Sequence, residues 1–188
     1  LNKMLMELKE IKRIYKVFAM SVIAQSRKKL NSNSTLARSL KFAVKELDDS
    51  IELKFFMEQY GLFYDQGVRG KDPSKVSKNA RIKGQQGVGR DIITGQFKKS
   101  PYRFGSKTQK GTFDKFKDKM AKFARKKNIR FRDAKGQFKK TNFQSLGYVI
   151  ASNIYNRGLR GSLFFTDPFL KAFRNFPEIL EKSFAQDV

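Results

Sequence analysis

Apolar residues recur at spacings of three and four from the first position: Leu1, Met4, Leu5, Leu8, Ile11, Ile14, Tyr15, Phe18 and Val22 form one stripe. Lys3, Glu7, Lys9 and Lys16 fall mostly off it, so the pattern predicts an amphipathic helix running to about Lys29. The polar run Asn31, Ser32, Asn33, Ser34 breaks it, because short polar side chains compete for backbone hydrogen bonds. Ser34 or Thr35 is placed to cap a second helix through Leu36, Leu40, Ala43, Val44 and Leu47, with Asp48, Asp49 and Ser50 ending it. Residues 51–56 then alternate, with Ile51, Leu53 and Phe55 on one face, which predicts a strand packed on one side. Tyr60, Phe63 and Tyr64 share a helical face, read as an aromatic plug over the sheet, and Gly67 supplies a left-handed stop.

From 67 to 90 the apolar period disappears. That stretch is rich in Gly, Ser and Lys and reads as a long loop or arm that orders against a partner. Periodicity returns after Thr112, a helix cap, with Phe113, Phe116, Met120 and Phe123 on a stripe and Lys115, Lys117, Lys119, Lys122 and Lys126 around it. Such a stripe belongs to a core more often than to a base-stacking platform, and Asn128 and Ile129 end the helix. A further helix spans 143–158, with Phe143, Leu146, Val149, Ile150 and Ile154 as its buried face. Gly147 and Ala151 leave room for another element to approach, and Gly158 stops the helix. Then come a short extended run at 163–165, a cap at Thr166 or Asp167, and Pro168 at the first helical position. The last helix carries Phe169, Leu170, Phe173, Phe176, Ile179, Leu180 and Phe184, with Pro177 kinking or restarting it. The expected fold is α+β: a long N-terminal helix and C-terminal helices on a small, mainly antiparallel sheet. One domain, 1–188, holds a basic insertion at 68–142 between core halves 1–67 and 143–188.

Charge changes the picture most in the middle of the chain. Residues 67–142 hold 24 Lys and Arg against 5 Asp and Glu, out of a net +24 for all 188 residues. A face this basic repels copies of itself unless something anionic lies opposite. The cations expected to face the partner are Arg69, Lys71, Lys75, Lys78, Arg81, Lys83, Arg90, Lys98, Lys99, Arg103, Lys139 and Lys140. Three partner classes fit: a single-stranded nucleic acid bound by interleaved aromatics and cations, duplex phosphates, or an acidic protein surface. Zinc-finger spacing, an RNP1 string and a clear helix-turn-helix are all missing.

The chain has no His and no Cys, which removes the commonest general base, thiolate metal sites and the usual nucleophile pairs. Neither an enzyme nor a cofactor is expected. Glu52-Leu53-Lys54 matches the E-x-K part of a metal-dependent nuclease strand, with Asp48 and Asp49 before it, but the spacing leaves no room for a hairpin between the acids. The solvent face of a strand accounts for the same residues. Gly70-Lys71 lacks the first Gly and the following Ser or Thr of a phosphate loop. No apolar run approaches the ~20 residues of a membrane span, and the mixed Lys, Glu, Leu and Met of the first residues do not make a secretory signal.

Two short segments resemble each other. RDIITGQFKKS (90–100) and RDAKGQFKKT (132–141) share Arg-Asp, Gly-Gln-Phe-Lys-Lys and a hydroxyl residue. Both read as small turns or hairpins with a Phe anchor and a basic tip, arising either from a true repeat or from convergent turn chemistry.

YGLFYDQGV (60–68) resembles the Y-A-x-x-V-E-x-G-T signature of the HK97 gp10-like family of tailed-phage neck and tail-completion proteins, through Tyr60, Tyr64, Asp65 and Gly67. LFFTDPFLKAF (163–173) is similar to the P-F-L-x-x-A segment that opens that family's last helix, through Pro168, Phe169, Leu170 and Ala172 or Phe173. Departures are Asp65 for the usual Glu, Val68 for the usual Thr or Ser, and the basic insertion. The resemblance implies a non-enzymatic virion protein, made in the bacterial host cytoplasm and placed at the neck, forming a ring with copies of itself. It implies portal or adaptor and tail proteins as neighbours, DNA passing through the channel, and no membrane. Tyr60, Tyr64, Phe164, Phe165, Pro168 and Phe169 would mainly support the fold, with an edge at the subunit interface. The basic block would reach a neighbouring subunit, an acidic portal or adaptor surface, or the DNA.

Overall fold

The computed structural model describes residues 2–31, 33–47, 50–106 and 112–185. It is an α+β protein with small antiparallel sheets. The chain divides into two compact units: Leu1–Asp65, Gly89–Lys98 and Ser162–Val188 form one, and Gln66–Val88 with Lys99–Gly161 the other.

The first unit is built on the long helix α1 (Asn2–Lys29). From Ile14 onward its expected stripe is the buried one: Ile14, Phe18 and Val22, joined by Ala19 and Ile23. Ser34 caps α2 (Thr35–Ser39), accepting from the Ala37 N–H at 3.2 Å. The second helix was expected to continue to Leu47, but residues Lys41–Leu47 form strand β1 instead. The reason is pairing: β1 lies antiparallel to β2 (Ser50–Phe56), with Phe42 opposite Phe55 and Val44 opposite Leu53. Phe42, Leu53 and Phe55 pack onto the core, and such cross-strand contacts outweigh a weak helical pattern. The expectation that Asp48 and Asp49 end a helix falls outside the described residues.

The unit is completed by α3 (Tyr60–Gln66), α6 (Thr166–Phe173) and α7 (Phe176–Ala185). Pro177 does restart the last helix, at the second residue of α7. Aromatic rings converge on Phe18: Phe176 lies 4.4 Å away between centroids and Phe169 5.6 Å. Residues 163–165, expected to be extended, turn instead, with Leu163 at φ +50°. That turn drives Phe164 and Phe165 into the core, where a strand would have sent one of them out.

The second unit pairs α4 (Phe113–Lys126) with α5 (Phe143–Arg157). Thr112 and Asn142 cap them, as Ser and Thr caps do elsewhere, by accepting from the Lys115 N–H and from the Gln144 and Ser145 N–H groups. The contact is made by small residues. A Cβ added to Gly147 would lie 2.7 Å from the Cβ of Ala121. The buried face of α5 therefore runs through Leu146, Gly147 and Ala151, and Val149, expected inside, is exposed. Phe104, Phe113, Phe116, Tyr148 and Tyr155 form an aromatic layer, with Phe104 to Tyr155 and Phe113 to Tyr155 both at 5.5 Å.

Segment 67–88 is more tightly held than a free arm. Strand β3 (Val68–Arg69) pairs with β6 (Gly158–Leu159). The N–H groups of Lys71, Asp72 and Gln86 donate to the carbonyls of Tyr155, Asn156 and Arg157. Gly70 permits this strapping, since a Cβ there would lie 1.9 Å from the Asn156 oxygen. One 3-10 turn (Pro73–Lys75) is capped by Asp72. The layout thus differs from a single domain with an insertion at 68–142. Because α4 takes α5 as its partner, 143–161 belongs with the basic block. Residues 89–98, the tip of the hairpin β4 (Val88–Arg90) and β5 (Phe97–Lys99), belong to the first unit. Among the described residues the strands form three two-stranded sheets rather than one.

Candidate functional site

Asp65 joins the two motifs that lie about a hundred residues apart in sequence. Asp65 is 3% exposed. Oδ1 accepts from the N–H of Phe165 at 2.8 Å and of Thr166 at 3.1 Å, and Oδ2 accepts from the Thr166 hydroxyl. These N–H groups stand at the start of α6, so Asp65 caps that helix from a distance. The cap expected from Thr166 or Asp167 is not made, because the helix already begins at Thr166, and Pro168 sits at its third residue. Two backbone bonds fasten the same joint, Ser162 N–H to the Tyr64 carbonyl at 2.9 Å and Leu163 N–H to the Asp65 carbonyl at 3.0 Å. Gly67 has φ +73°, the left-handed stop expected of it.

The aromatic side chains of α3 lie differently from the expected plug. Tyr60 is 47% and Tyr64 53% exposed, while the buried positions of the helix are Gly61 and Asp65. The reason is steric: α3 approaches so closely that a Cβ at Gly61 would be 2.8 Å from Leu36 and Met57. Only small or hydrogen-bonded side chains fit on that side, and the tyrosines turn outward. Phe164, Phe165 and Pro168 are buried, and Phe169 is half-buried on the core.

The cations of the basic block sort into two groups. Some hold structure. Arg90 pairs with Asp167 at 3.0 Å, Lys98 with Asp91, and Lys75 with Asp72 at 3.7 Å. Arg103 donates to the Lys71 carbonyl, and Lys71 lies 5.8 Å over the Tyr155 ring. Arg69 lies in β3, with its Nε buried and unbonded. Burial opposes ionisation of Asp167, but Lys29 and Arg90 together hold its carboxyl below the ordinary carboxylate range. The others face solvent: Lys78, Arg81, Lys83, Lys99, Lys139 and Lys140 are exposed and form no ion pair among the described residues. Lys115, Lys119, Lys122 and Lys126 of α4 are exposed as well. Their helical spacing places them around the Phe stripe, outside the set of cations expected to face the partner. Glu52 lies on β2 and pairs with Lys54 at 2.8 Å.

The two similar segments fold alike. In the first, Asp91 Oδ1 accepts from the N–H groups of Ile93 and Thr94, and the Asp91 N–H donates to the Gln96 carbonyl. In the second, Asp133 Oδ1 accepts from the N–H groups of Lys135 and Gln137, and the Asp133 N–H donates to the Gln137 carbonyl. Each turn closes through a left-handed glycine, Gly95 at φ +71° and Gly136 at φ +79°. In each, the leading arginine donates to that glycine's carbonyl, Arg90 at 2.6 Å and Arg132 at 3.0 Å. The same guanidinium covers the aromatic ring, 5.3 Å above Phe97 and 4.2 Å above Phe138. Lys98 and the turn N–H groups hold the Asp91 carboxyl far below the usual carboxylate range. The Phe is no anchor. Phe97 is 68% and Phe138 60% exposed, because each ring packs on its own arginine and on little else.

Among the described residues no helix is long and apolar enough to cross a membrane. Comparison with protein-family models, with curated proteins and with solved structures found no match.

Proposed function

We propose that this chain is a structural virion protein of a tailed bacteriophage, one subunit of a ring in the neck that joins head to tail or completes the tail around the passing DNA. The observation that carries this reading is the Asp65 joint. The two motifs on which the family resemblance rests are physically one feature, a carboxylate on the short helix capping the helix that opens with Thr166. Neighbouring subunits would cover the outward aromatic surface of Phe56, Tyr60, Leu62 and Tyr64. Portal or adaptor and tail proteins, or DNA in the channel, would meet the unpaired cations. Quantitative mass spectrometry of gradient-purified particles tests it. The expected result is this polypeptide at a fixed, low copy number comparable to that of the portal protein. Its absence from particles overturns the reading.

A second reading is a sequence-tolerant nucleic-acid-binding protein using the block at 67–142. It is favoured by the exposed, unpaired lysines together with two solvent-facing phenylalanines among them.

A further inference from the structure

The two Arg-Asp…Gly-Gln-Phe-Lys-Lys turns are alike in more than sequence. A left-handed glycine, a carboxylate cap, an arginine-to-glycine bond and guanidinium-on-ring packing recur in both, although the first loop is one residue longer. None of this is required for a turn, since Gly and Asp suffice for that. What the arrangement achieves is an aromatic ring backed by a guanidinium and otherwise exposed to water. The guanidinium fixes one face, and exposure of 68% at Phe97 and 60% at Phe138 leaves the other open. A Lys-Lys pair follows each ring directly in sequence.

We propose that Phe97 and Phe138 are two equivalent stacking points for single-stranded nucleic acid, each taking one base on its open face while Lys99 in one turn and Lys139 and Lys140 in the other meet the adjacent phosphates. The inference rests on the second reading above and names its contact points. Three observations carry it. Lys98 is held by Asp91, but Lys99 in one turn and Lys139 and Lys140 in the other form no ion pair among the described residues; an aromatic face beside such cations is the chemistry of a base beside its phosphate, and base–aromatic stacking tolerates any base. A guanidinium lies behind each ring, that of Arg90 shared with Asp167 and that of Arg132 with no ion pair among the described residues. The features the two turns share are the ring and the cations, whereas their tips differ: Ile92 and Ile93 in one, Ala134 and Lys135 in the other. An acidic protein surface shaped to one tip would not fit the other. A polymer that repeats base and phosphate offers both turns the same ligand.

The test is fluorescence anisotropy with three probes at one salt concentration: labelled oligothymidylate, a labelled DNA duplex, and labelled poly-glutamate. Phe97→Ala and Phe138→Ala should each weaken oligothymidylate binding by about five- to a hundredfold. They should leave duplex and poly-glutamate binding unchanged, since a duplex keeps its bases stacked and poly-glutamate has none. Equal loss on all three probes, or loss on none, overturns the inference while the nucleic-acid reading stands. Loss on poly-glutamate alone replaces it with an acidic protein partner. No binding of either nucleic acid overturns both. The chain has no Trp, so Phe97→Trp and Phe138→Trp each place a single reporter in a turn. Their emission should be quenched by oligothymidylate and left unaltered by the duplex and by poly-glutamate. Absence of quenching at both positions counts against stacking even where affinity falls.

Discussion

Asp65 is a residue whose type, place and consequence can be followed from end to end. A buried carboxylate is costly unless its lone pairs are filled, and here two N–H groups and a hydroxyl fill them. Asp65→Ala removes the acceptor that the N–H groups of Phe165 and Thr166 and the Thr166 hydroxyl share. The expected loss is about 2–4 kcal/mol of unfolding free energy, read from urea denaturation. Asp65→Asn keeps one acceptor oxygen and should lose clearly less. Equal stability of wild type and Asp65→Ala would mean that water reaches α6 and that the joint is not a cap. The sequence marks Asp65 only as one letter of a short motif. Nothing local says that its partner lies a hundred positions on, because a cap at a distance leaves no spacing to read. The caps at Ser34, Thr112 and Asn142 differ in this respect: each serves the N–H groups two or three residues ahead, and the two named beforehand, Ser34 and Thr112, were legible for that reason. The spacing of Tyr60 and Tyr64 identifies a shared helical face without saying which face is buried.

Helix α4 against α5 is decided by small residues. Ala121, Ala124, Gly147 and Ala151 are all buried, so the helices approach until backbone and Cβ atoms touch. Gly147→Ala would normally help a helix by removing glycine's entropic cost. Here the added Cβ would sit 2.7 Å from the Ala121 Cβ and 2.7 Å from its backbone nitrogen, so one helix must shift. Overpacking wins, and the variant should lose about 1–3 kcal/mol in the same denaturation experiment. A stabilised variant would show that the pair can separate without loss. That Gly147 and Ala151 admit a close neighbour was readable from their size, but which neighbour was not. The large apolar residues of α5 drew attention to Val149, yet close packing put the small ones inside. The 41–47 strand failed for a related reason. Its apolar residues suit a helix and a strand almost equally, and the choice is made by Ser50–Phe56 lying opposite. The two similar turns were legible as turns, since glycine, aspartate and glutamine sit where the backbone needs them. The arginine folded back over each phenylalanine was not, and it is what turns the rings outward.

For the whole molecule the governing quantity is +24 elementary charges on 188 residues, and it predicts two salt responses of opposite sign. The ion pairs among the described residues are mostly exposed, several of them three or four residues apart on one helix, and such pairs contribute little. Repulsion among unpaired lysines should therefore outweigh them. Raising NaCl from about 0.05 M to about 0.5 M shortens the screening length from about 14 Å to about 4 Å, so the free protein should melt at a higher temperature in the saltier buffer. Binding to oligothymidylate should weaken over the same range. If about six cations meet phosphates, the slope of log K against log salt is about −4, from roughly −0.7 per contact on a single strand. Thermal melts and anisotropy titrations across one salt series read both quantities. A melting temperature that falls with salt would show that the ion pairs hold the fold and that the basic surface is not under strain. Opposite slopes would show a surface whose charge is tolerated for the sake of a polyanion, with oligothymidylate bound at low salt raising the melting temperature as added NaCl does alone.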